Sequence, residues 1–216
     1  MQPTSFVNTL CFLLPWLASA APAPPMGQDV CSSNKTITVQ QIMQIAPKAA
    51  TVCDKEKYPE CATAQEATDN INKSFDKYGV TSLAEKAAVI SLIALESVEF
   101  LYNRNKVPGI VGQGTRNMQW PEYNAKYAQS LPDIKDKAQQ VSGDKAKVLD
   151  LLVSNIEYDF GSAAWFLTTQ CSNSVREALK KNPKEGWTGY IEQCVQTTVS
   201  PDRRTYWNRT TEALGL

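Results

Sequence analysis

A mainly α fold is the first expectation this sequence raises. Strand signals are sparse, helical signals recur from residue 36 to the end, and between Ala87 and Leu95 only Ser91 is polar. A helix apolar on all sides belongs in the middle of a domain. The expected class is therefore mainly α (α+β through one small hairpin), with a central buried helix.

The elements follow in order. "TVQQIMQIAP" reads as a short helix stopped by Pro47, and "TAQEATDNINKSFDKYG" as a helix with Gly79 just past its end. Ser82 and Glu85 have capping-box spacing ahead of "KAAVISLIALESVEFLY", which sets the central helix at 82–102. "NRNKVPGIVGQGTRN" is an irregular connector with three glycines, and the small hairpin is expected within 103–120. Pro121 fits the first turn of a helix over "PEYNAKYAQSL". "LPDIKDKAQQV" and "DKAKVLDLLVSNIEY" read as surface helices. "GSAAWFLTTQC", "SNSVREALKK", "GWTGYIEQCVQ" and "SPDRRTYWNRTTEALG" complete the set with short joints.

The N-terminus reads differently. Residues 1–20 hold an apolar run, "FVNTLCFLLPWLA", too short to span a bilayer, and Ala18-Ser19-Ala20 offers a small-x-small cleavage site. A positive n-region is missing. We expect a signal peptide over 1–20, an extended segment over 21–33 that begins "APAPP", and one domain over 34–216. The expected localisation is secreted and extracellular. Cys11 leaves with the signal, and Cys31, Cys53, Cys61, Cys171 and Cys194 remain. In an oxidising compartment these imply two disulfides and one odd thiol. Cys171 and Cys194 flank one C-terminal segment and are expected to pair; the spacing does not choose among the first three. Sequons at Asn34, Asn72 and Asn208 are candidate glycosylation sites.

Lys+Arg and Asp+Glu number 22 each, without charge blocks. This balance argues against a nucleic-acid partner and against a polybasic membrane binder. No amphipathic seam suggests an oligomer, so a monomer is expected. The chain has no histidine. Ser-His-Asp triads, Cys-His dyads and His-based zinc sites are excluded, and no cofactor or metal is expected.

Two clusters could carry chemistry. The helical neighbours of Glu96 are Leu92, Ile93 and Phe100. A carboxyl desolvated there would stay protonated and could donate a proton to a glycosidic oxygen. The plainer reading is a helix-end glutamate that reaches solvent or pairs with Arg104 or Lys106. The second cluster is "GQGTRNMQ", Gly112–Gln119. Its glycines allow close backbone approach, and Asn117 and Gln119 can donate to and accept from sugar amides and hydroxyls. Trp120 and Tyr123 could stack on sugar rings. The plainer reading is a loop that satisfies its own backbone. Trp165, Phe166, Leu167, Trp187 and Tyr190 read as core. Arg203 and Arg204 could buttress a carboxylate or form a surface ion pair.

Together, Glu96-Ser97 and the Gly-rich Met118-Gln119 loop resemble the active-site core of the lysozyme-like superfamily, as in goose-type lysozymes and lytic transglycosylases. "SAAWFLTT" and "DRRTYWNRTTEALG" are similar to segments of plant-type (family 19) chitinases. The resemblance touches 36–215 in short islands. It implies a two-lobed helical domain with a cleft, a general-acid role for Glu96, and sugar contacts from Gln119, Tyr123 and Asn124. A second acid would have to be Glu99, Glu122 or Asp159, none of which sits on a matching motif. The expected function is that of a secreted glycoside hydrolase, of muramidase or chitinase type, acting on β-1,4 links of an N-acetylhexosamine polymer, peptidoglycan or chitin. The alternatives are a non-catalytic carbohydrate-binding or host-interacting protein on the same fold, and a disulfide-stabilised helical protein without sugar chemistry.

Overall fold

The computed structural model describes residues 35–106 and 109–216. The expected signal peptide, the extended segment, Cys31 and the Asn34 sequon lie outside the described residues. Among the described residues, eleven α-helices and one π-helical turn account for the regular structure, so the mainly α class holds.

Local chemistry explains most boundaries. Thr38 caps α1 (Val39–Ile45) in a reciprocal box with Gln41, and a short α2 (Lys48–Thr51), not foreseen, follows Pro47. Thr63 and Glu66 form the same box ahead of α3 (Ala64–Tyr78), which ends at Gly79. The central helix is α4 (Leu83–Glu96), and every residue from Ala84 to Ala94 is buried. Its start corrects the sequence reading. Ser82 makes no side-chain cap, and Glu85 is instead buried against Arg176, with the guanidinium Nε at 2.7 Å.

Its end differs too. The run predicted to continue to residue 102 stops at Glu96. The Ser97 hydroxyl donates to the Ile93 carbonyl and accepts from the Phe100 amide. Val98, Glu99 and Phe100 then adopt φ of 53°, 58° and 68°. Left-handed backbone costs non-glycine residues roughly 1–2 kcal/mol each, so surrounding structure must hold it.

The predicted hairpin is reduced to two isolated bridges, Arg104 with Gly114 and Gly114 with Gln119. After it come α5 (Pro121–Ser130), α6 (Lys135–Gln140) and α7 (Lys145–Val153). The helix expected to run to Tyr158 breaks at Ser154. Asn155 caps a new helix, α8 (Ile156–Thr169), by accepting from the Glu157 amide. Next are α9 (Asn173–Lys181) and α10 (Pro183–Gly189). The latter runs into a π-helical turn, Tyr190–Cys194, and α11 (Pro201–Leu214) closes the chain.

The core joins these elements. α4 packs against α11, α9 and α8, and α3 lies along α8. Ile90 and Ile93 of α4 share the core with Phe160, Leu167, Trp187 and Trp207. Burial of such side chains contributes about 1.5–3 kcal/mol each. Disulfides join Cys171 to Cys194, the pair expected from sequence, and Cys53 to Cys61. Two such bridges accord with an oxidising compartment. No helix among the described residues is long and apolar enough to cross a membrane.

Candidate functional site

α4 delivers Glu96 to the wall of a groove of about 600 Å³. The groove is also lined by Asn117, Met118 and Gln119 of the glycine loop, Trp120, Glu122 and Tyr123 at the start of α5, Phe166 of α8, and Arg203 of α11. Residues 194–197, where the π-helical turn ends, complete it. The two clusters singled out from sequence therefore meet. A second hollow shares Glu96, Gln113 and Met118 with the groove and is also lined by Val98, Tyr102, Arg104, Asn105 and Lys106.

Glu96 is not isolated among apolar side chains. Its carboxylate is in direct contact with the Arg203 guanidinium, and both side chains are largely but not wholly covered. The partners suggested by proximity in sequence are taken elsewhere: Arg104 meets Asp150 at 2.8 Å and Lys106 meets Glu60 at 3.0 Å. Behind the pair lies Tyr190, fully buried, its hydroxyl without a hydrogen-bond partner among the described residues. Burial pushes that hydroxyl well above the ordinary tyrosine range.

The glycine loop is shaped by close approach. A Cβ on Gly114 would come within 2.4 Å of the Asn103 carbonyl oxygen. Gly112 combines φ of 81° with Lys145 atoms 2.6 and 2.7 Å from where its Cβ would lie. Side chains cannot replace these hydrogens without moving backbone.

The polar residues of the loop form a ladder. Ser162 and Thr115 donate to Asn117 Oδ1 at 2.9 and 3.2 Å. Asn117 donates to Gln119 at 3.0 Å, Gln119 donates to Asn124 at 2.8 Å, and Asn124 donates to the Gly112 carbonyl at 2.8 Å. Asn117 and Gln119, expected to meet a ligand, border the groove but are themselves buried, with their amides engaged in the ladder. Asn124, expected to touch a ligand, is wholly buried, and its role here is to brace the loop. Tyr123 does line the groove, edge-on to Phe166 with centroids 4.9 Å apart. Trp120, 51% exposed, presents its indole at the rim.

The three candidate second acids separate. Glu99 lies outside the groove lining. Its carboxylate accepts from the Lys48 amide and the Tyr206 hydroxyl, both at 2.7 Å, with Arg209 at 3.5 Å. Asp159 is fully buried, meets Arg116 at 2.7 Å and accepts from Asn103. Burial pushes its carboxyl up from the ordinary value, against the opposing pull of Arg116 and Asn103. Both acids hold structure. Glu122 is exposed and lines the groove with Glu96.

Sequence reasoning missed Arg116, which also donates to the carbonyls of Phe100, Tyr102 and Glu60 and so ties down the turn after Glu96. Its partners come from three separate segments, and no local pattern marks them. Trp187 and Tyr190 are core, as read. The Asn72 sequon is partly buried, its amide engaged by Ile37, whereas Asn208 is exposed. Among the described residues, no group of three or more Cys, Asp or Glu side chains converges as metal ligands.

No family model matches the chain. No solved structure matches it either. Over 157 residues, 70% of its length, the chain is 43% identical to a bifunctional dioxygenase (DOX)-epoxy alcohol synthase (EAS) from Fusarium oxysporum (strain Fo5176). It spans 12% of that protein. The comparison corrects the labels glycoside hydrolase, muramidase and chitinase: the relative is named for dioxygenase and epoxy alcohol synthase activities, and its name contains no sugar chemistry.

Proposed function

We propose that the groove beside Glu96 binds a stretch of an N-acetylhexosamine polymer, peptidoglycan or chitin, and that the chain acts as an extracellular saccharide-binding protein. One observation carries this reading. An exposed indole, a prearranged amide ladder and a carboxylate–guanidinium pair converge in one groove. Sugar rings present apolar C–H faces and polar edges, and each finds a counterpart: Trp120 and Tyr123 for the faces, Glu96 and Arg203 for hydroxyls and acetamido groups, with the amide ladder of Asn117 and Gln119 fixing the loop between them. The ion pair does not take Glu96 out of the groove, which weighs against a helical protein without a ligand. The activities in the relative's name belong to a protein of which this chain spans 12%, and they are not carried over.

The test is a tryptophan-fluorescence titration with chitin oligosaccharides and with soluble peptidoglycan glycan strands. Wild type should bind one class, and Trp120→Ala should weaken it by about tenfold, equivalent to about 1.4 kcal/mol. No saturable binding of either class by wild type sinks the reading. Product analysis of the same mixtures reads whether the bound chain is also cut.

A further inference from the structure

The structure separates the two sequons it describes. At Asn72 the side-chain amide clasps the backbone of Ile37: Oδ1 accepts from its amide at 2.9 Å, and Nδ2 donates to its carbonyl at 2.8 Å. Ile37 is itself buried, so the clasp ties the segment ahead of α1 down onto α3. A sugar on Nδ2 would share that nitrogen with the Ile37 carbonyl in a partly buried setting. Asn208 is the opposite case. It sits on α11, exposed, and among the described residues its side chain makes no hydrogen bond. It lines a surface hollow of about 570 Å³ with Trp187, Trp207, Arg204, Asn182 and Thr211. That volume takes one or two sugar residues over indole edges and hydroxyl or amide partners.

We infer that Asn208 carries an N-linked glycan and that Asn72 does not. The Asn208-Arg209-Thr210 sequon supplies the acceptor. In the transfer, Asn208 Nδ2 bonds to the anomeric carbon of an oligosaccharide carried on a polyprenyl diphosphate. The anomeric carbon–oxygen bond breaks, the polyprenyl diphosphate leaves with the bonding electron pair, and one amide proton is lost; nothing is oxidised or reduced. Five positions along an α-helix correspond to a turn of roughly 140°, so Asn208 and the groove-facing Arg203 point in different directions. The glycan covers the hollow beside Trp207 and leaves the groove at Glu96 open.

The test uses the full chain secreted from a eukaryotic host, with Asn34→Gln as the background so that the remaining sequons are read alone. Intact mass is measured before and after peptide-N-glycosidase, and peptide mapping locates the aspartate that the enzyme leaves behind. One glycan, at Asn208, is expected. Asn208→Gln should remove it and Asn72→Gln should leave it. A folded, secreted chain with no glycan, or with one at Asn72, overturns the inference. Thr210→Ser keeps the sequon and should keep the glycan, which separates loss of the acceptor from loss of the fold.

Discussion

Val98 carries a β-branched side chain at φ of 53°, is partly exposed, and stands two residues from Glu96. Left-handed backbone costs such a residue about 1–2 kcal/mol, while glycine gives back roughly 0.5–1 kcal/mol through its freer unfolded chain. Val98→Gly should therefore raise stability by about 0.5 kcal/mol, read as a higher urea midpoint. A lower midpoint would mean that the valine packs better than its exposure indicates. Its neighbour Glu99 anchors the same turn through Tyr206. Burial, then the hydrogen bond and charge of Glu99, push the Tyr206 hydroxyl from its ordinary 10.0 up to about 12. The folded value lies above the unfolded one, so the contribution is complete below about pH 10 and is lost as pH rises through about 12. Tyr206→Phe should destabilise at pH 8 and lose less than wild type between pH 10 and 12, checked by urea unfolding across that range. Parallel curves would sink the assignment. At this scale the sequence was legible in part. Glu96 and Gln119 stood out because a carboxylate after an apolar run, and an amide after two glycines, are local patterns. Glu99 and Asp159 were offered as acids, yet their anchoring roles depend on Tyr206, Arg209 and Arg116, which are distant in sequence.

Helix α4 shows what an element reveals and what it hides. Its apolar run identified it as central, because only the inside of a domain accommodates a helix without a polar face. Its two ends were misread for one reason: each is set by tertiary contacts. Ser82 and Glu85 have the spacing of a capping box, but Arg176, 91 positions away, takes the Glu85 carboxylate into the interior. The C-terminal end is cut by Ser97 and held by Glu99 and Arg116. The Glu85–Arg176 pair yields a prediction for the element. Glu85 is almost completely covered, and one of its oxygens has no partner among the described residues. Arg176→Met would leave that charge uncompensated and should cost about 3–5 kcal/mol. The double variant Glu85→Leu/Arg176→Met removes the charge as well and should recover most of the loss. Equal losses in the single and double variants, measured by thermal and urea unfolding, would show that packing and not charge holds α9 on α4.

The groove belongs to no single element. Its walls come from α4, the glycine loop, α5, α8, the segment after the π-helical turn, and α11, so ligand affinity depends on how the chain holds these together. The two disulfides contribute unequally to that task. Cys171–Cys194 closes a separation of 23 residues, and Cys194 together with residues 195–197 lines the groove. Cys53–Cys61 closes 8 residues, and neither cysteine lines it. Loop-closure entropy assigns the two bridges about 3.4 and about 2.5 kcal/mol, the larger to Cys171–Cys194. Global stability therefore separates them by about 0.9 kcal/mol, and the groove should separate them further. Replacing both cysteines of a bridge by serine is expected to lower the urea midpoint in each case, more for Cys171/Cys194. The Cys171/Cys194 replacement alone should also weaken saccharide binding, by about tenfold if loosening the wall costs about 1.4 kcal/mol of prearrangement. Titrations run at a temperature where both variants remain folded separate the effects. If both variants bind like wild type, the wall is held by α10 and α11 without help from the bridge. If both lose binding equally, affinity follows global stability, and the groove has no dedicated support.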